Sequence, residues 1–178
     1  MMGNARFRRR AVLLAALALV PSVCAAFPKP RSESDTLFVV PVAFLDSRQV
    51  PESNMKFGYK LTLENTKTGE RKYVTIDSDD PYEIVQHWDE GEYLLKEYSS
   101  IGFVENWTRP LQITQYLKLE KGKFAIFPCK IVILLMASST TLYDSTIGVE
   151  FMELDKDDYA RIREFLSAEE KNFALWKS

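Results

Sequence analysis

Site chemistry needs a nucleophile, a base, metal ligands or paired acids, and this 178-residue sequence is sparing with the first three. It holds one histidine, His87, and two cysteines, Cys24 and Cys129. A catalytic triad would have to use His87 as its base. His87 falls in a stretch with strand character, on the face opposite Tyr82, Ile84 and Trp88, and it reads more simply as a half-exposed strand residue. Cys129 borders the most apolar run of the chain, where a free cysteine acts as a small core hydrophobe. One His and one Cys do not furnish a zinc site, and no cofactor is expected.

Carboxylates are plentiful. Asp77, Asp79 and Asp80 crowd one segment, and Asp89, Glu90 and Glu92 crowd another. Hard oxygen ligands on a loop suit calcium, but no EF-hand spacing is present, and acidic turns are commonly just solvated. Two acids meeting across a cleft would make a glycosidase pair. No glycine-rich phosphate cradle occurs.

The elements that must carry these residues read as strands. Tyr59, Leu61 and Leu63 alternate with Lys60, Thr62 and Glu64, and the segment 65–69 (Asn-Thr-Lys-Thr-Gly) reads as a hairpin turn returning through Arg71–Ile76. Residues 82–98 read as strand, acidic turn closed by Gly91, and strand. Residues 36–46 are apolar on both faces, which marks a central or covered strand, although Pro41 asks for an edge or a bulge. Residues 111–120 and 146–154 are further strands, and 124–137 is a core strand interrupted near Pro128. The chain ends in a helix: Asp155 is its cap, Asp157 and Asp158 sit in its first turn, and Tyr159, Ile162, Leu166, Phe173 and Trp176 repeat at helical spacing.

The first 26 residues read as a secretory signal peptide: a basic start (Arg6, Arg8, Arg9, Arg10), an apolar stretch too short to span a bilayer, then Pro21 and small residues. Cys24 is the candidate lipidation position, with Pro21, Ser22 and Val23 before it. Residues 27–35 form a linker, 36–154 a β-domain, and 155–178 a helix packed on it. The segment 1–26 holds four basic residues and no acidic one; without it, 19 basic and 25 acidic residues remain, a net charge of −6. That balance disfavours nucleic acid and anionic membrane surfaces as partners, leaving a lipid anchor as the one link to a membrane.

The expected fold is mainly β: an antiparallel sandwich of seven or eight strands with a C-terminal helix. Three stretches resemble the prealbumin-like (transthyretin-like) domains of small bacterial envelope proteins and lipoproteins. They are the Gly-Glu-Tyr-Leu-Leu step at 91–95, the segment 59–65 leading to a Thr-Gly turn, and residues 124–126 running into 130–134. Cys129 departs from the family's usual Gly before the lysine. The resemblance covers roughly residues 36–155, implies a fold, and carries over no catalytic residues.

The expected function is that of a non-enzymatic exported cell-envelope module, binding a protein or glycan or serving a structural role, in the periplasm or outer envelope. A secreted carboxylate-dependent carbohydrate hydrolase and an apolar small-ligand carrier are the alternatives. Residues 99–110 read as a longer loop, and the candidate partner-binding residues are the exposed aromatics around it, Tyr98, Phe103 and Trp107, and Trp176 on the helix.

Overall fold

The structure is a computed structural model that describes residues 28–46, 58–77, 80–101, 108–111, 113–137, 145–168 and 173–176. Its strands are β1 (Leu37–Asp46), β2 (Gly58–Asn65), β3 (Arg71–Asp77), β4 (Tyr82–Gln86), β5 (Gly91–Ile101), β6 (Thr108–Pro110), β7 (Tyr116–Leu119), β8 (Phe124–Ile126), β9 (Cys129–Ala137) and β10 (Ser145–Glu153). The helix α1 spans Lys156–Ala168. The protein is thus mainly β: the described residues form two five-stranded, largely antiparallel sheets and one C-terminal helix. Among the described residues, no helix is long and apolar enough to cross a membrane.

β1 organises the first sheet because its two faces serve two cores. Phe38, Val40 and Val42 point into the main core, where they meet Tyr59, Leu61 and Leu63 of β2 and Tyr93 and Leu95 of β5. Leu37 and Val39 point the other way, against Ile162 and Leu166 of α1 and Trp176. The double-faced pattern therefore marks a central strand whose outer face is covered by a helix. Burying each such aliphatic side chain contributes about 1.5–3 kcal/mol.

The order of this sheet is β10-β9-β1-β4, and β8 also pairs with β1. β8 and β9 lie end to end along one side of β1, and both run parallel to it. The sheet is therefore not purely antiparallel, as the sequence suggested. Nor does Pro41 mark an edge. The Leu37 N–H donates toward β8, to the Lys123 carbonyl at 3.4 Å, whereas the Val42 N–H donates toward β4, to the Pro81 carbonyl at 2.9 Å. That alternation turns the Pro41 nitrogen toward the seam where β8 ends at Ile126 and β9 starts at Cys129, so no ladder donor is lost there.

The second sheet has the order β3-β2-β5-β6, with β7 also on β5. The expected hairpin joins β2 and β3, with Glu64 opposite Arg71. Asn65 builds its turn: its Oδ1 accepts the N–H groups of Lys67 and Thr68, each at 3.0 Å. Gly91 runs beside that turn at φ 152°, and a Cβ there would lie 2.8 Å from the Asn65 Nδ2.

Residues 82–98 are where the reading from sequence fails most. β4 pairs with β1 in the first sheet, and β5 pairs with β2 in the second. The four residues between them form an arch from sheet to sheet, not a hairpin turn. Tyr82 and Ile84 face the helix, but Trp88 faces the main core, 5.1 Å from both the Phe38 and Tyr93 ring centres. Two other segments are also revised. Residues 99–101 continue β5, and the strand expected over 111–120 is confined to Tyr116–Leu119.

Candidate functional site

The arch gathers the chemistry-bearing side chains. His87 follows the end of β4 and sits at φ 64°, a left-handed conformation uncommon for a residue with a side chain. Its N–H donates to the Thr36 carbonyl at 3.2 Å, and the Thr36 hydroxyl donates back to the Trp88 carbonyl at 2.7 Å. This fixes the arch on the segment that enters β1. The imidazole Nδ1 lies 3.4 Å from the Asp35 Oδ1. Burial raises the Asp35 carboxyl, but the Arg31 N–H and His87 outweigh it and hold the group below the usual carboxylate range.

An Asp–His pair is two-thirds of a nucleophilic relay. Ser34 lines the same depression, of about 400 Å³, but its hydroxyl is 2.9 Å from the Ser32 hydroxyl, and among the described residues no hydrogen bond joins it to His87. Cys129 is fully buried in the main core, and burial pushes its thiol up to about 12. A Cys129–His87 couple is therefore not formed. The acids around the arch are engaged by cations: Asp89 accepts from Lys72 at 2.7 Å, and Glu90 lies 2.9 Å from the Lys121 Nζ. Among the described residues, no group of three His, Cys, Asp or Glu side chains is placed to hold a metal ion.

A second constellation lies at the opposite side of the sheets, where β10 and β6 end the strand orders of the described residues. Here Tyr98 of β5 meets Phe151 of β10 with ring centres 5.3 Å apart, closing the main core between the sheets. Beside them is a pocket of about 270 Å³ lined by Tyr98, Arg109, Leu111, Ile113, Val149 and Phe151. The outer face of the same sheet edge is also apolar. Leu45 pairs with Leu134, and Met136 follows it along β9. Leu45, Met136 and Met152 are 56%, 41% and 46% exposed. α1 covers the β1–β4 half of this sheet face and leaves these residues open.

Between the two apolar surfaces runs β10. It ends the strand order, and among the described residues it pairs only with β9. Proteins blunt such edges with short strands, Lys or Pro. β4 has five residues, β6 and β8 three each, and β7 four, while β3 carries Arg71 and Lys72. β10 has nine residues (Ser-Thr-Ile-Gly-Val-Glu-Phe-Met-Glu) and none of these guards.

The residues singled out in the sequence divide. Tyr98, expected on an exposed loop patch, is in β5 and only 9% exposed, and it lines the pocket. Trp176 is 4% exposed: its ring packs with Leu37 and Val39, and its Nε1 donates to the Pro28 carbonyl at 3.0 Å. Phe103, Trp107 and Cys24 lie outside the described residues, as does the segment 1–26 expected to be a signal peptide. The β10 edge was missed. Its one sequence signal, a long strand without Lys, Arg or Pro, says nothing about which strand ends the sheet.

Comparison with known proteins adds no identity: no family model, curated protein or solved structure matches the chain.

Proposed function

We propose that the chain is a non-enzymatic, exported β-sandwich module of the cell envelope that binds a protein partner through the β10 edge. One observation carries this reading: the longest sheet edge among the described residues is neither short nor guarded by Lys or Pro, and it has apolar surface on both sides, Val149 and Phe151 within and Met136 and Met152 without. Contiguous exposed apolar surface beside an open edge suits a protein interface. The transthyretin-like resemblance is consistent with a two-sheet envelope module, and the basic-then-apolar N-terminus supports export.

A photo-crosslinking residue placed at Met152 in the native host tests this. It should trap a protein adduct that the same residue at Tyr73, 56% exposed on the opposite sheet, does not. Equal labelling at both positions, or none at Met152, counts against the edge as the binding site.

The hydrolase alternative has one observation in its favour. Burial raises the Glu83 carboxyl, and Asp80 and Asp77 raise it further, which is the environment of a general acid. Loss of glycan turnover in Glu83→Gln would favour that alternative.

A further inference from the structure

We propose that the partner's contacting piece is an extended peptide, apolar on one face and cationic on the other, which adds to β10 as a further strand. The inference rests on the edge-binding reading above and specifies what the edge takes.

Strand addition follows from the backbone. Each β10 residue offers a donor and an acceptor, and β9 satisfies alternate residues from one side only. Among the described residues nothing pairs with the other side, which presents a row of backbone groups with strand geometry, and an extended peptide matches it group for group. A helix or a folded loop cannot meet that row.

The side-chain preference follows from the pleat. Neighbours across a ladder share a face, so alternate side chains of the added strand fall beside Val149 and Phe151, at the 270 Å³ pocket between the sheets. Leu111 and Ile113 also line it, so these positions take aliphatic groups. The intervening side chains fall on the outer face beside Glu150 and Met152, both exposed. Among the described residues no ion pair engages Glu150. A lysine or arginine opposite Glu150 complements it, and its methylene stem covers Met152. The acidic balance of the whole chain, 25 acidic against 23 basic residues, favours the same sign of partner.

A second copy of the chain fits less well. It would bring another acidic β10 to the edge and would supply no cation from that strand.

The test uses the full chain and a fluorescein-labelled peptide, Thr-Val-Lys-Val-Lys-Val-Thr, read by anisotropy. A version with Glu in place of Lys should bind about tenfold more weakly. Glu150→Lys, at an exposed position, should reverse that preference, and Glu150→Gln, which is isosteric, should abolish it. N-methylation of alternate amides should eliminate binding in one register and spare it in the other, because an added strand uses only one of its edges. Equal binding of both N-methyl registers, or a charge preference that ignores Glu150, overturns the inference. So does a chain that sediments as a β10-dependent dimer and takes up no peptide. Should Met152 crosslinks persist while the peptides fail, the strand-addition inference falls and the edge reading survives. Should the crosslinks be absent, the edge reading itself fails.

Discussion

The Nζ of Lys130 lies 2.8 Å from each carboxylate oxygen of Asp158, which ties the outer face of β9 to the first turn of α1. Asp158 is buried, and it also completes the helix cap. Its N–H donates to the Asp155 Oδ1 at 2.8 Å, and its Oδ2 accepts the Asp155 N–H at 3.3 Å. One carboxylate thus holds a charge pair and a helix start together. Asp158→Ala should cost about 3 kcal/mol in urea unfolding, because it removes both and leaves the Lys130 ammonium half-buried without its partner. The double variant Lys130→Met with Asp158→Leu should recover part of that loss. Equal losses in the single and double variants would mean that the pair contributes nothing beyond packing.

Acid stability follows from the same group. Burial raises the Asp158 carboxyl, but the Lys130 and Asp155 N–H interactions outweigh it and hold it below its usual range. Asp89 is lowered by its hydrogen bond to Lys72, and Asp35 is lowered as described above. A folded-state value below the unfolded one, about 3.9 for Asp, gives stability that is complete above that value and is lost as pH falls through the folded value. Glu83 has the opposite sign. Its raised folded value means that stability falls as pH rises from the unfolded value, about 4.3, through the folded one. Thermal melts should therefore show a higher Tm for Glu83→Gln than for the parent at pH 7, with the gain gone at pH 3. Asp158→Asn should show the reverse, a deficit at pH 7 that shrinks toward pH 3.

Cys129 should be chemically silent in the folded protein. It is fully buried beside Ile131 and Phe127, and its thiol is pushed up to about 12 by burial. A thiol reagent at pH 8 should label it only as fast as the chain opens, and denaturant should release the full reaction. Cys129→Ser, which places a hydroxyl among apolar side chains, should cost about 1–3 kcal/mol, more than Cys129→Ala. Rapid labelling of the folded chain would contradict the placement of β9.

Two backbone positions carry the sheet-to-sheet arch. Gly91→Ala meets both an unfavourable φ and the Asn65 side chain, and should cost about 1–3 kcal/mol. At His87, φ 64° penalises a β-branched residue most, so His87→Val should be less stable than His87→Asn by about 1 kcal/mol. Differential scanning calorimetry of the three variants ranks them directly.

Local pattern reached the elements and missed their partners. The alternation of Tyr59, Leu61 and Leu63, the Asn65 turn, the break at Pro128 and the Asp155 cap are short-range physics and were legible. So was the two-faced burial of β1, since only a covered central strand keeps Leu37 and Phe38 both dry. The 82–98 stretch was not legible as an arch, because a turn within one sheet and a step between two use the same kinds of residue. His87 gave no sign of its left-handed backbone, and the parallel pairing of β1 with β9 joins segments some ninety residues apart. At the site, exposure was the illegible quantity. Tyr98 read as a patch residue, yet it is a packing residue; Trp176, on a helix expected to pack on the β-domain and also a partner-binding candidate, is buried there. The open edge depends on sheet order, which a one-dimensional pattern does not encode.

The central claim is that one side of β10 is open and takes up a strand. Residue-resolved amide exchange by NMR, in the free protein and with the Val/Lys peptide, measures both halves at once. Across Ser145–Glu153, alternate amides should exchange rapidly in the free chain while their neighbours bonded to β9 stay protected, and the rapid set should slow when the peptide is added. Uniform protection along β10 in the free chain, or a rapid set that the bound peptide leaves unchanged, would contradict the account.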